Sequence, residues 1–268
     1  MKYPKAILLQ SSGQCNLNCS VCYSRHYRHE YGVMGSDTWT AILKSLQTHD
    51  YNGIVSFSLL GEPLTDPFLL ERVKAIYQTT DAKATIHTNG KALDGMMIMG
   101  LWKAGVKEIS ISMLGGYSKY ESITGMNRGV LIKRIENLAS FGFTVYLYAP
   151  ADNDERIPIM ELFSKSAQAN IIPIHWPIDY HDSSSIQMIM APGHGGIDML
   201  VPYEGQNCTA LDYLYIAYNG AAFKCPIDWE LSSTYGNVKE RDMFELFRSL
   251  EEERTWRDGW SMCKQPIC

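Results

Sequence analysis

Apolar and polar positions along the chain fall into a repeating series of short strands and longer helices. Residues 5–10 form an apolar run closed by Ser11-Ser12-Gly13, the pattern of a buried strand ended by a turn. Residues 36–48 read as a helix with Ser36 or Asp37 as N-cap. Residues 54–60 alternate and predict a strand. Residues 66–78 read as a helix with Pro67 placed in the first turn. Residues 83–88 predict a strand, 93–104 a helix stopped by Gly105, and 107–113 a strand. A loop and a helix run to residue 140, and Gly142 follows. Residues 143–148 predict a strand, 154–168 a helix and 171–175 a strand. Six strands alternating with helices predict parallel βα units around one core. Residues 177–202 are polar and Gly-rich and read as a loop leaving that core, with His181 and His194 as solvated loop residues. Beyond residue 208 the pattern changes. Residues 214–218 and 221–225 flank Asn219-Gly220, a strong hairpin signal, and 242–250 read as an amphipathic helix.

The length of 268 residues suits one large domain, or one domain with a small appendage. At 46% hydrophobic and 20% charged residues the chain has a globular composition. A net charge of -5 gives no basic face for nucleic acid. No apolar run is long enough to cross a membrane, and the N-terminus lacks a secretory pattern, so a cytoplasmic location is expected. No exposed apolar stripe is evident in the sequence, which predicts a monomer.

The seven cysteines change the picture most. Disulfides are rare in a reducing compartment, and an odd number fits a closed disulfide framework poorly. Cys15, Cys19 and Cys22 lie together in Cys-Asn-Leu-Asn-Cys-Ser-Val-Cys, and Cys208, Cys225, Cys263 and Cys268 lie in the last quarter. No cysteine separates the two groups. A tight loop can turn three thiolates toward one centre, and soft thiolates suit iron–sulfur clusters. Three ligands leave one iron of a cubane open to a substrate or cofactor; four close it. A structural zinc protein and a non-catalytic iron–sulfur carrier are the plainer alternatives.

Cys15-Asn16-Leu17-Asn18-Cys19-Ser20-Val21-Cys22-Tyr23 resembles the signature of radical S-adenosylmethionine (radical SAM) enzymes. Further features similar to that family recur in order. Gly61-Glu62-Pro63 resembles the family's GGEP segment, with Leu60 standing where the first glycine would be. His87-Thr88-Asn89-Gly90 resembles its TNG turn, and Ile109-Ser110-Ile111-Ser112-Met113 its fourth strand. The resemblance implies a partial (β/α)6 barrel with chemistry at the C-terminal strand ends. It implies a [4Fe-4S] cluster on Cys15, Cys19 and Cys22. S-adenosylmethionine would then be held by Tyr23, Gly61, Glu62, Pro63, Asn89, Ser110 and Ser112. The family's cluster and cofactor together yield a 5′-deoxyadenosyl radical that removes a hydrogen atom from an unactivated carbon. A flavodoxin- or ferredoxin-type donor would supply the electron.

The tail resembles a twitch domain, the shortened SPASM extension of such enzymes: a Cys before a hairpin, one at its end, and a pair after a helix. This implies a second, auxiliary [4Fe-4S] cluster on Cys208, Cys225, Cys263 and Cys268. The expected organisation is a barrel over 1–180, a connecting loop over 181–207 and the twitch domain, a small β-hairpin/helix unit, over 208–268. Three plus four uses every cysteine, leaving no thiol to return a hydrogen atom to a substrate radical. The expected reaction is therefore a two-electron oxidation with the auxiliary cluster as acceptor, acting on a small polyol or aminocyclitol. A peptide-modifying maturase, making a cross-link or an epimer, is the alternative. The barrel beginning near residue 5, with no preceding recognition domain, favours the small molecule. Tyr148, His175 and Asp179 are the candidate bases by position near the strand ends.

Overall fold

The chain opens on β1 (Ala6–Leu9), all four residues buried, and ends its described part in a helix that packs back near β1. The computed structural model describes residues 3–20, 22, 32–150, 159–176, 212–224, 226, 231 and 233–255. After β1 come α1 (Ser36–Thr48), β2 (Ile54–Phe57), α2 (Leu69–Thr79), β3 (Lys83–Thr88), α3 (Gly95–Ala104) and β4 (Glu108–Ser112). Then follow α4 (Gly116–Thr124), α5 (Arg128–Phe141), β5 (Thr144–Pro150), α6 (Lys165–Gln168) and β6 (Ile171–Trp176). The tail adds β7 (Leu214–Ile216), β8 (Ala221–Phe223), β9 (Thr234–Asn237) and α7 (Met243–Thr255).

The nine strands among the described residues form one sheet in the order β6-β5-β4-β3-β2-β1-β7-β8-β9. Strands β1 to β6 are parallel neighbours in sequence order, the arrangement of a partial barrel left open at β6. The hairpin is not a separate sheet. Strand β7 pairs in parallel with β1, with Leu8 beside Tyr215, and β8 and β9 follow antiparallel.

The period of two along each strand separates two environments. Ile7, Val55, Ile86, Ile109, Ile111 and Val145 face the helices and belong to one large buried cluster. Each such fully buried aliphatic side chain contributes about 1.5–3 kcal/mol. Residues of opposite parity face the barrel interior; they are largely polar on β2 to β5, while Ala6 and Leu8 of β1 join Tyr215 and Phe223 in a second apolar cluster. Helix α3 is capped by Asp94, which accepts from Met97 N at 2.8 Å, and α5 by Asn127, which accepts from Val130 N at 3.1 Å. Both stop, as expected, at glycines in the left-handed region, Gly105 and Gly142.

Several details differ from the sequence reading. The N-cap of α1 is Gly35, not Ser36 or Asp37, and no side chain caps it. Two helices, not one, separate β4 from β5, because Gly125 ends α4 and Asn127 starts α5. Helix α3 leaves Met96 and Met99 exposed, an apolar strip the sequence pattern did not suggest. Among the described residues no helix is long and apolar enough to cross a membrane.

At the tail, Asp242 caps α7 through Phe244 N (3.0 Å) and pairs with His49 Nε2 (3.0 Å) at the end of α1. It also accepts from Ser45 Oγ. These contacts fasten α7 to α1, on the helical side of β1.

Candidate active site at the C-terminal strand ends

The first βα loop leaves the C-terminal end of β1 and carries Cys15, Cys19 and Cys22. Its ends are stitched together. Gly13 N donates to Gly32 O (2.9 Å), Met34 N donates to Ser11 O (2.8 Å), and Ser12 and Val33 form an antiparallel bridge. Arg72 of α2 supports this closure by donating to Met34 O. Its charge meets buried Asp66 at 3.2 Å.

The loop rests on the segments that follow β2 and β3 and on α4. Glu62 N donates to Gln14 O at 2.7 Å, and Thr65 Oγ1 lies 2.8 Å from Ser12 Oγ. Asn89 Nδ2, just past β3, donates to Asn16 Oδ1 (2.9 Å) and lies 3.6 Å from Cys15 Sγ. Lys91 Nζ donates to Asn16 O at 2.6 Å, and Ser20 N donates to Ile123 O of α4 at 2.9 Å. Arg134 in turn holds the carbonyls of Gly90 and Lys91 at 3.1 and 2.6 Å.

Gly61 is fixed by two independent demands. Its φ is +88°, and a Cβ there would lie 2.2 Å from Ser12 O and 2.7 Å from Gly13 C. Only glycine lets the end of β2 touch the backbone of the cysteine loop. Preceding it, Leu59 takes φ +75° with its side chain buried, a strained position for a leucine.

The Glu62 carboxylate is occupied within the protein. Leu64 N and Thr88 Oγ1 donate to Oε1 at 3.0 and 2.6 Å, and Asn89 N donates to Oε2 at 2.7 Å. Burial pushes its pKa up to about 7, against the downward pull of these three donors. Glu62 thus joins the loop after β2 to the loop after β3, and the backbone around Gly61 and Pro63 is what remains to meet a ligand.

Three thiols in one loop oppose each other's ionisation. Burial pushes the Cys19 thiol up to about 12, and the Cys22 and Cys15 thiols add to the rise. Cys15 is raised by burial, then by Glu62 and Cys22, while the Leu17 and Asn89 donors pull it down. Lys91 pulls Cys19 down only slightly, and a metal group would supply the larger positive charge while releasing the protons. Among the described residues no three His, Cys, Asp or Glu side chains converge on a point that one ion would fill. Zinc needs each thiolate about 2.3 Å from one centre. A multi-iron cluster takes each thiolate on a different iron, a donor set that three cysteines of one loop can supply.

Of the other expected cofactor residues, Ser110 is buried and Ser112 partly open on the inner face of β4. Ser112 Oγ lies 2.6 Å from Nε2 of His87, a residue of the expected third strand to which the sequence reading assigned no role. Tyr148, a candidate base, is buried on the inner face of β5 with its ring 5.1 Å from that of His87. For His175 the structure describes the backbone only, in β6 beside Ala149. Tyr23, Asp179, Cys208, Cys225, Cys263 and Cys268, with His181 and His194, lie outside the described residues.

The model of the radical SAM superfamily matches residues 9–163, more than half of the chain. The chain belongs to the radical SAM superfamily. The match includes the three cysteines, the Gly61–Pro63 segment and strands β2 to β5, and membership brings S-adenosylmethionine and one [4Fe-4S] cluster to this chain. The tungsten-containing aldehyde ferredoxin oxidoreductase cofactor-modifying protein of Pyrococcus furiosus is 26% identical over 167 residues, 62% of this chain and 46% of its own length. The chain spans about half the length of the curated relatives it matches. The structure of BtrN in complex with AdoMet and 2-DOIA aligns with a TM-score of 0.62 at 15% identity, covering 95% of this chain and 87% of BtrN. Streptococcus suis SuiB bound to S-adenosylmethionine aligns at 0.67 and 17% identity, covering 98% of this chain and 70% of SuiB. At these identities the likeness speaks for the fold, and it extends beyond the barrel to most of the chain.

Proposed function

We propose that this radical SAM enzyme oxidises a small polyol or aminocyclitol by two electrons. The observation that carries this reading is the division of the seven cysteines into three and four, with none left over. The first three would hold the SAM-binding cluster. Cys208, Cys225, Cys263 and Cys268 would hold an auxiliary [4Fe-4S] cluster in a twitch domain over 208–268. Two of these cysteines flank, in sequence, the hairpin whose first strand pairs with β1.

When bound, the cluster and S-adenosylmethionine supply a 5′-deoxyadenosyl radical that removes a substrate hydrogen atom, and the auxiliary cluster would take the second electron. The protein's own part is positional. The Gly61–Pro63 backbone would present carbonyls to the cofactor's amine, with Glu62 locking that loop onto Thr88 and Asn89. Asn89 would reach the cofactor while orienting the cysteine loop through Asn16, and Ser110 and Ser112 would meet its polar parts from β4. Tyr148, buried inside the barrel, is the candidate base by position and would take the substrate proton only as it passes its own phenolic proton on; Tyr23, His175 and Asp179 keep the roles expected of them.

BtrN has been seen with 2-DOIA, and SuiB with its precursor peptide SuiA. The hydroxyl-lined interior of β2 to β5 supports the small molecule over the peptide. Incubating reconstituted enzyme with polyol and aminocyclitol panels tests the reading. The expected product is two mass units lighter, formed with 5′-deoxyadenosine. A product of unchanged mass that carries solvent deuterium contradicts oxidation in favour of epimerisation, and reaction only with a peptide supports a maturase.

A further inference from the structure

The inner face of β2 to β5 has a graded chemistry. Near the N-terminal ends Lys83 Nζ and Glu108 Oε1 pair at 2.7 Å. Toward the C-terminal ends the same parity gives Thr85 and His87 on β3, Ser110 and Ser112 on β4, and Tyr146 and Tyr148 on β5. On β2, Ser56 Oγ donates to Ser58 Oγ at 3.2 Å. Among the described residues, no charged side chain lies on this face of these four strands beyond the Lys83–Glu108 pair.

His87 sits at the centre of this surface. Ser112 Oγ holds its Nε2 at 2.6 Å, and the Tyr148 ring packs against it at 47°. Nδ1 has no hydrogen-bond partner among the described residues. Burial brings the imidazole down to about 4, so the ring is neutral near pH 7 and offers one donor and one acceptor. The ring remains partly open to the interior, as does Ser112.

Among the described residues of this face, a charged ligand group would lose its hydration and meet no counter-charge. A hydroxyl would lose little, because imidazole, serine and tyrosine groups match its donor and acceptor. We propose that His87, held by Ser112 and packed on Tyr148, hydrogen-bonds a hydroxyl of an uncharged polyhydroxylated ring inside the barrel. This rests on the oxidase reading and narrows its substrate class.

The test uses holoenzyme reconstituted anaerobically and saturated with S-adenosylmethionine. Calorimetric binding is measured for myo-inositol, for 2-deoxystreptamine and for glucuronate, which are neutral, cationic and anionic probes of similar size. Myo-inositol is expected to bind most tightly, with an affinity flat between about pH 6 and 9. His87→Phe is expected to weaken it at least tenfold and His87→Gln, which can still bond Ser112, by less. S-adenosylmethionine affinity, measured the same way, is expected to stay within twofold in both variants, which a general loss of structure would not allow. Tighter binding of either charged probe, binding of none of the three, or unchanged inositol binding in both variants overturns the proposal. A parallel loss of cofactor affinity also overturns it, by placing His87 at the cofactor. A charged probe that binds best yet is oxidised refutes this inference and leaves the oxidase reading standing. His87-dependent inositol binding with an epimerised product does the reverse.

Discussion

Replacing Gly61 by alanine is expected to cost about 2–4 kcal/mol of stability and most of the iron. The new Cβ would stand 2.2 Å from Ser12 O and 2.7 Å from Gly13 C, where ordinary contact begins at 3.4 Å. Both obstacles are backbone, so the loop must retreat by about an ångström rather than rotate a side chain away. A φ of +88° adds about 1–2 kcal/mol for any residue with a Cβ. The retreat also strains the 2.7 Å bond from Glu62 N to Gln14 O, worth about 1 kcal/mol net. Gln14 precedes Cys15, so the same displacement spoils cluster assembly. Urea denaturation of the cluster-free protein gives the stability, and iron content after anaerobic reconstitution gives the assembly. Gly95→Ala is the control: nothing lies within 4 Å of its Cβ, it sits at the start of α3, and it should be neutral or slightly stabilising. Equal stability and equal iron in the two variants would refute the argument that Gly61 holds the loop.

The remaining predictions concern buried charge. Glu62 has a folded pKa of about 7 against an unfolded 4.5, so the folded state holds more protons between those values. Its contribution is fully favourable below about pH 4.5 and is lost as pH rises through 7, about 3 kcal/mol across the window. Denaturation midpoints of cluster-free protein between pH 5 and 7.5 should show this decline, and Glu62→Gln should flatten it; a parallel slope in the variant would contradict the assignment. Arg72→Met strands the buried Asp66 carboxylate and should cost about 3–5 kcal/mol, partly restored in Asp66→Asn/Arg72→Met. The double-mutant cycle reads the coupling, and additive losses would show that the pair does not act as one unit.

The βα series was legible because each strand alternates and its neighbours in sequence are its neighbours in space. Gly105 and Gly142 stop their helices as the sequence suggests, and the cysteine triplet stands where β1 ends. Three features were not legible. The pairing of β7 with β1 joins residues two hundred positions apart, and no local period records it. Strand β9, Thr-Tyr-Gly-Asn, carries no alternation and exists through its pairing with β8. The Glu62 carboxylate was expected to face a ligand, yet Thr88 and Asn89 claim it, a fact set by where β3 ends relative to β2. His87 was hidden for a related reason. Its neighbours Thr88-Asn89-Gly90 read as a turn, while the parity that sends its ring to Ser112 becomes visible only with the register of β3 on β4.

The central claim is one open cluster on Cys15, Cys19 and Cys22 and one closed cluster on the four tail cysteines. Iron and acid-labile sulfide per chain, measured after anaerobic reconstitution of the wild type and of a Cys15→Ala/Cys19→Ala/Cys22→Ala variant, test it most directly. The account predicts about eight irons falling to about four. About four falling to none would contradict it: the tail cysteines would then hold no cluster, and one of them would be available as the hydrogen donor of an epimerase.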